Sequence, residues 1–272
     1  MIDLLQITND PVFAQRCAAL PGMRLFVDLE RMGKVERQAG KNTFISSHDI
    51  DDVARIKAVA GASRVMVRVN PVHPDSAAEI DAVLARGADM VMLPMFRSAA
   101  ELLAFAALVD GRVPVVPLLE TAEALASLED WVSTPGLAEI FVGLNDLHLS
   151  LGCDFMFEPL AQGHVDRVAA AARQQGLRFG FGGIARMDEG LLPGRDVLAE
   201  HVRLGSQAVI VSRTFHGSDS TNSFEDEVNL LRQSEYAAGL RSATQVQTDR
   251  VRIRARILEL AAARAASAAS TA

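Results

Sequence analysis

The chain has 272 residues, 49% of them hydrophobic and 22% charged, which is globular composition sufficient for one large α/β barrel or two ordinary domains. Its net charge of −7 argues against a nucleic-acid surface, and no apolar run approaches the ~20 residues of a membrane helix. Two cysteines, Cys17 and Cys153, exclude a thiolate metal cage within one chain and fit a reducing compartment.

Taken in order, the start MIDLLQITND lacks the basic and apolar regions of a signal peptide, so a cytoplasmic location is expected. Residues 1–23 read as a short helical lead-in, with Leu4, Leu5, Val12 and Phe13 as packing residues. RLFVDLE (24–30) reads as a strand ending on Asp28 and Glu30. A polar, basic loop or short helix follows over 31–42, and NTFISSH (42–48) reads as a second short strand running into His48. Residues 49–60 have helical spacing, with Val53, Ile56 and Val59 inward and acids in the first turn.

SRVMVRVNP (63–71) is a buried strand carrying Arg68 near its carboxyl end. SAAEIDAVLARG is a helix stopped by Gly87, ADMVMLPMF a strand, and SAAELLAFAALVDG a helix stopped by Gly111. The stretch 112–152 then holds two apolar strands that each run into a carboxylate. VPVVPLL meets Glu120, and AEIFVG passes through Leu144 and Asn145 to Asp146. Between them TAEALASLEDWV places Ala122, Leu125, Leu128 and Val132 on one helical face. A strand–helix–strand unit with a short return demands parallel strands, so both carboxylates belong at one end of the sheet. HVDRVAAAARQQG is a further helix, LRFGFGGIA a strand with a glycine-rich turn, and SQAVIVSRTF the last clear strand.

Eight strands are thus expected, near 24–28, 43–46, 64–69, 89–93, 113–118, 138–142, 177–181 and 207–211. Eight β/α repeats in about 250 residues is the (β/α)8 TIM-barrel pattern, with a doubly wound open sheet as the alternative. Residues 24–221 form the expected catalytic barrel and 222–260 a helical region, with Val228, Leu231 and Tyr236 in one periodic stretch and Ile253, Ile257 and Leu260 in another. The alanine-rich tail 261–272 is expected to fray.

Glu120 and Asp146 offer two hard oxygen ligands, which suit Mg²⁺ or Mn²⁺ with water and substrate completing an octahedron. Either acid alone could simply cap the helix that follows it. Arg68 in an apolar strand needs a partner. It is either an internal salt bridge to Asp28 or Glu30, or a guanidinium aimed at a carboxylate or developing enolate oxygen. GFGGIA at 180–185 matches G-x-G-x-x-G/A in spacing, but Gly and Pro over 187–194 occupy the place of the required helix. Gly182 is read instead as part of a tight turn bringing backbone close to substrate. His48 and His148, near strand ends, are the candidate general bases, although a lone histidine is more often a structural hydrogen-bonder. P-loop, H-E-x-x-H and G-x-S-x-G patterns are absent, which argues against the enzymes they mark.

These residues resemble the HpcH/HpaI aldolase and citrate lyase β-subunit superfamily over about 24–215. FVDLE is similar to its first acidic strand end, MVRVNP to its substrate-arginine strand and GADMVMLPM to its "G-A-x-x-I-x-V-P-M" strand. LLETAEAL is similar to its "I-E-T-x-x-A" metal-glutamate motif, and VGLNDLHLSLG to its "G-x-x-D-L-S-x-S-L-G" metal-aspartate motif. The resemblance implies Glu120 and Asp146 as ligands of Mg²⁺ or Mn²⁺, with Co²⁺ compatible. It implies Arg68 as the enolate-stabilising residue and the backbone around Gly143, Asn145 and Asp146 as the holder of the substrate carboxylate. It also implies homo-oligomers built through C-terminal helices. One departure is that Glu30 is followed by Arg31 where the pyruvate aldolases carry Glu-His, and Asp28-Leu29-Glu30 is closer to the citrate lyase "D-L-E-D" form. The expected activity is a class II, metal-dependent carbon–carbon lyase taking a 2-oxo acid and an aldehyde. A citramalyl- or malyl-CoA-type lyase and a catalytically silent barrel are the alternatives.

Overall fold

The computed structural model describes residues 1–33, 47–216 and 222–271. Its eight strands join in chain order into a closed parallel barrel, the expected (β/α)8 class. The chain divides into two compact units, Asp3–Phe141 and a second made of Met1–Ile2 with Val142–Ala272.

The first unit opens with a strand, not a helix. β1 (Asp3–Ile7) pairs with β2 (Met23–Asp28) from Leu4↔Met23 to Ile7↔Phe26, and only α1 (Pro11–Ala18) of the expected lead-in is helical. DLLQI shows no alternation because Leu4, Leu5 and Gln6 are all buried, as parallel strands covered on both faces are. α1 starts on Asp10, whose side chain accepts the Val12 N–H, with proline in its first turn. The strand expected at 43–46 lies outside the described residues. β2 pairs directly with β3 (Val65–Arg68), from Leu25↔Val65 to Asp28↔Arg68, and β1 is one of the eight strands of the closed barrel.

α2 (Asp51–Val59), α3 (Ser76–Ala85), β4 (Met90–Leu93), α4 (Ala99–Val109) and β5 (Val115–Leu119) follow as expected. The single helix expected after Glu120 is instead α5 (Ala122–Ala126) and α6 (Leu128–Trp131), broken at Ser127, whose hydroxyl donates to the Glu123 carbonyl. Trp131 is buried there, donating its Nε1–H to the Ala124 carbonyl at 2.8 Å and meeting Phe96 edge to face at 5.1 Å. β6 is Glu139–Val142.

Side chains alternate along a strand, so Arg24, Phe26 and Asp28 share one face of β2. At its first end Arg24 is gripped by Glu139 (2.9 and 3.0 Å) and Asp3 (2.6 Å), with Glu139 fully buried. At its far end Asp28 meets Arg68.

The second unit contains α7 (Leu144–Ser150), α8 (Glu158–Ala161), α9 (His164–Gln174), β7 (Arg178–Ile184), α10 (Gly194–Leu204) and β8 (Ala208–Val211). It ends in α11 (Phe224–Gly239) and α12 (Ala243–Thr271). α11 starts with a capping box between Ser223 and Asp226. α12 packs on α8 and α10, burying Ile253, Ile257 and Ala261. The tail expected to fray continues this helix through Thr271, in keeping with alanine's leading helix propensity. Val228 and Leu231 are buried, whereas Tyr236, expected among the packing residues, is 73% exposed. No helix of the described residues is long and apolar enough to cross a membrane.

Candidate active site

Arg68 is the last residue of β3, and its register partner is Asp28. Nε and Nη2 donate side-on to the two Asp28 carboxylate oxygens at 2.8 Å each, and Nε lies 3.4 Å from Glu30 Oε2. The guanidinium carbon sits 5.8 Å from the centroid of the Phe26 ring, within cation–π range. Burial pushes the guanidinium pKa down. The charge and hydrogen bonds of Asp28, then the charges of Glu30 and Glu120, more than offset this, so it lies above its ordinary value and Arg68 stays charged. The salt-bridge partners anticipated for Arg68 are thus both present. Side-on pairing also leaves Nη1 with no partner among the described residues, so its two N–H groups remain as donors.

Glu120 follows β5 and is 2% exposed. It does not cap the next helix. Thr121 does, accepting the Ala124 N–H while its own hydroxyl donates to the Phe96 carbonyl at 2.8 Å. Glu120 Oε1 accepts the backbone N–H of Met95 at 3.0 Å. Asp28, Glu30 and Glu120 are all buried within the field of one guanidinium. Buried carboxylates such as Glu120 offer the hard oxygen donors that a divalent ion such as Mg²⁺ takes.

His48 is buried, and its Nδ1 accepts the backbone N–H of Asp28 at 3.0 Å, while Arg31 Nη2 donates to the His48 carbonyl at 2.7 Å. A neutral imidazole that accepts at Nδ1 carries its proton on Nε2. In this arrangement the ring is a donor, and acting as a base would require surrendering the Asp28 bond. Sequence reasoning passed over Asn70. Its Oδ1 accepts the N–H groups of Arg31 and Met32 at 2.9 and 3.0 Å, and its amide donates to Glu79 at 2.8 Å. It thereby ties down the segment that leaves Glu30. The Asn-Pro step at the end of β3 was the visible signal, since Asn before Pro favours turns.

In the second unit Asp146 stands in the first turn of α7, where the helix dipole favours a carboxylate. Gly143 is the N-cap of that helix, and its carbonyl accepts the Leu147 N–H. Asn145 is exposed and Asp146 half-buried. His148 Nδ1 is 3.0 Å from the Leu144 carbonyl one turn back, a local structural bond. Gly182 is not in a turn after β7 but within the strand, in a bulge between Gly180 and Gly183. Its φ is +54°, and an added Cβ would come within 3.0 Å of Leu144 Cδ1. What Gly182 admits is the first residue of the Asp146 helix.

No group of three His, Cys, Asp or Glu able to hold a metal ion occurs among the described residues. An ion held by two carboxylates would therefore keep water or substrate oxygens, as Mg²⁺ commonly does. A family profile for HpcH/HpaI aldolase/citrate lyase matches residues 48–186, a little over half of the chain. The chain belongs to this family.

The HpcH/HpaI match takes in His48, Arg68, Glu120 and Asp146, while Asp28 and Glu30 precede it. The chain is 32% identical to a (3S)-malyl-CoA thioesterase of Cereibacter sphaeroides (strain KD131 / KCTC 12085) over 130 residues, 46% of this chain and 45% of that protein. It therefore matches less than half the length of that curated relative. Among solved structures it is similar to an HpcH/HpaI aldolase from Desulfitobacterium hafniense DCB-2, with a TM-score of 0.62 and 15% identity over 89% of this chain and 94% of that one. It is also similar to a citrate lyase β subunit from M. tuberculosis complexed with oxaloacetate and magnesium, with a TM-score of 0.60 and 18% identity over 86% and 96% of the two chains. At such identities the likeness shows the fold. Members of the HpcH/HpaI family are enzymes, lyases and a thioesterase among them.

Proposed function

We propose that the protein is a divalent-metal-dependent carbon–carbon lyase that works through the enolate of a 2-oxo acid such as pyruvate, in retro-aldol cleavage or in condensation with an aldehyde. The observation that carries this reading is the cluster in which Asp28 holds Arg68 side-on beside buried Glu30 and Glu120. Glu120 and Asp146 would hold the ion, Mg²⁺ or Mn²⁺. When bound, it supplies Lewis-acid polarisation of the keto and carboxylate oxygens of the 2-oxo acid. Asp28 fixes the guanidinium of Arg68, whose Nη1 donors meet negative charge as it develops on the keto oxygen. The backbone around Gly143, Asn145 and Asp146 receives the substrate carboxylate. His48 donates through Nε2, and a water molecule serves as the base that takes the hydroxyl proton of the aldehyde-derived carbon.

The test is deuterium exchange at the methyl group of pyruvate in D₂O, followed by NMR with and without Mg²⁺ or Mn²⁺. Metal-dependent exchange in the native chain that disappears in a folded Glu120→Gln variant is the expected result. Unchanged exchange in that variant would sink the assignment. The malyl-CoA thioesterase relative favours a second reading, an acyl-CoA thioester substrate. Absence of pyruvate exchange together with cleavage of a malyl- or citramalyl-thioester would select it.

A further inference from the structure

We propose that Met95 is a positioning residue for Glu120 and that it acts through its backbone. This inference rests on the reading of Glu120 as a metal ligand. Met95 follows β4 and Pro94, and it is one of two residues other than glycine, among the described residues, with a positive φ, +56°. The left-handed region is unfavourable for an L-residue bearing a Cβ, and such outliers persist where surrounding contacts hold them.

Here the contact is specific. The Met95 N–H donates to Glu120 Oε1 at 3.0 Å. Its neighbour Phe96 is buried against Trp131, and the Phe96 carbonyl accepts the hydroxyl of Thr121, the residue after Glu120. The end of β4 is therefore sewn to the end of β5 twice, once through the carboxylate and once through the residue beside it. Turning the chain at Met95 aims a fixed donor at one oxygen of Glu120 and limits the side chain to few rotations. A buried carboxylate oriented before an ion arrives loses less freedom when it binds.

The backbone role makes Gly and Val opposite probes. Met95→Gly keeps the N–H and favours positive φ, whereas Met95→Val keeps the N–H but strongly resists that conformation. The readout is Mn²⁺ binding to the whole chain by water-proton relaxation, with thermal unfolding in EDTA measured in parallel. Met95→Gly should bind Mn²⁺ within about twofold of the native chain, and Met95→Val about tenfold more weakly. Amide hydrogen exchange at residue 95 should accelerate in Met95→Val and in Glu120→Ala. Equal weakening in the Gly and Val variants would overturn the backbone role in favour of the thioether side chain. Native-level binding by a folded Met95→Val would overturn positioning altogether. If the native chain itself binds no Mn²⁺, the parent reading of Glu120 fails, and this inference with it.

Discussion

Asp28 and Arg68 face each other in the β2–β3 register, and one carboxylate takes both Nε and Nη2 of the guanidinium at 2.8 Å. A lysine at position 68 retains the charge but lacks the planar fork. On the proposed enolate reading, Arg68→Lys should lower metal-dependent pyruvate exchange about 100-fold or more, with a folded far-UV circular dichroism spectrum. A rate within a few-fold of native would show that charge alone suffices. In Asp28→Asn the guanidinium loses its bidentate anion, and a stability loss of about 3 kcal/mol is expected in urea titration.

The Arg24–Glu139 pair predicts stability effects without chemistry. Both side chains are nearly inaccessible to water, so Glu139→Ala leaves the buried Arg24 with its bond to the half-buried Asp3 in place of the bidentate pair and should lose about 3 kcal/mol. Arg24→Met with Glu139→Leu should recover most of that, and the paired urea titrations would reveal a large coupling energy. Additive losses in the double variant would contradict an ion-pair role.

His201 predicts acid lability. It is fully buried on α10, stacked 3.7 Å from Phe181, with Nδ1 2.8 Å from Ser206 Oγ and no hydrogen-bond partner for Nε2 among the described residues. Burial lowers its pKa from 6.5 to about 3. The unfolded chain therefore binds a proton that the folded chain refuses between those values. Its contribution to stability is complete above pH 6.5 and is lost progressively as pH falls toward 3. Between pH 7.5 and 4.5 the loss should be about 3 kcal/mol. Urea titrations over that range should show a visibly flatter pH dependence for His201→Gln, and an identical slope would exclude His201 as the source.

Gly182→Ala combines a positive φ of +54° with a Cβ pressed on Leu144 Cδ1. A stability loss of about 1–3 kcal/mol is expected, together with weaker Mn²⁺ binding on the proposed role of Asp146 as a ligand, because the displaced residue begins the Asp146 helix. Loss of stability with native Mn²⁺ affinity would confine Gly182 to packing.

Much of this was visible in the chain. Glu120, Asp28 and Arg68 stand out because each is a charge closing an apolar strand, and a charge there must find a counter-charge. β1 was hidden because a short, wholly enclosed strand has no alternation, and DLLQI offers two adjacent leucines and a buried glutamine. Arg24 looked like the polar start of a strand, since its partner Glu139 is 115 positions away and no local pattern links them. Composition does not encode the backbone turn at Met95 or the tautomer of His48, both of which depend on contacts made only after the barrel closes. His148 had the right neighbourhood in sequence, yet its ring is turned back on its own helix.

Strand β2 carries Arg24 at one end and Asp28 at the other, with the Phe26 ring between them. For an engineer, this separates what anchors the scaffold from what can be rewritten. Libraries at Glu30 and Glu120, which leave both the Arg24–Glu139 and the Asp28–Arg68 pairs in place, would explore the proposed acceptors and thioesters on an intact foundation. A variant that loses one activity in such a library need not lose its shape, so inactive clones would remain informative about chemistry.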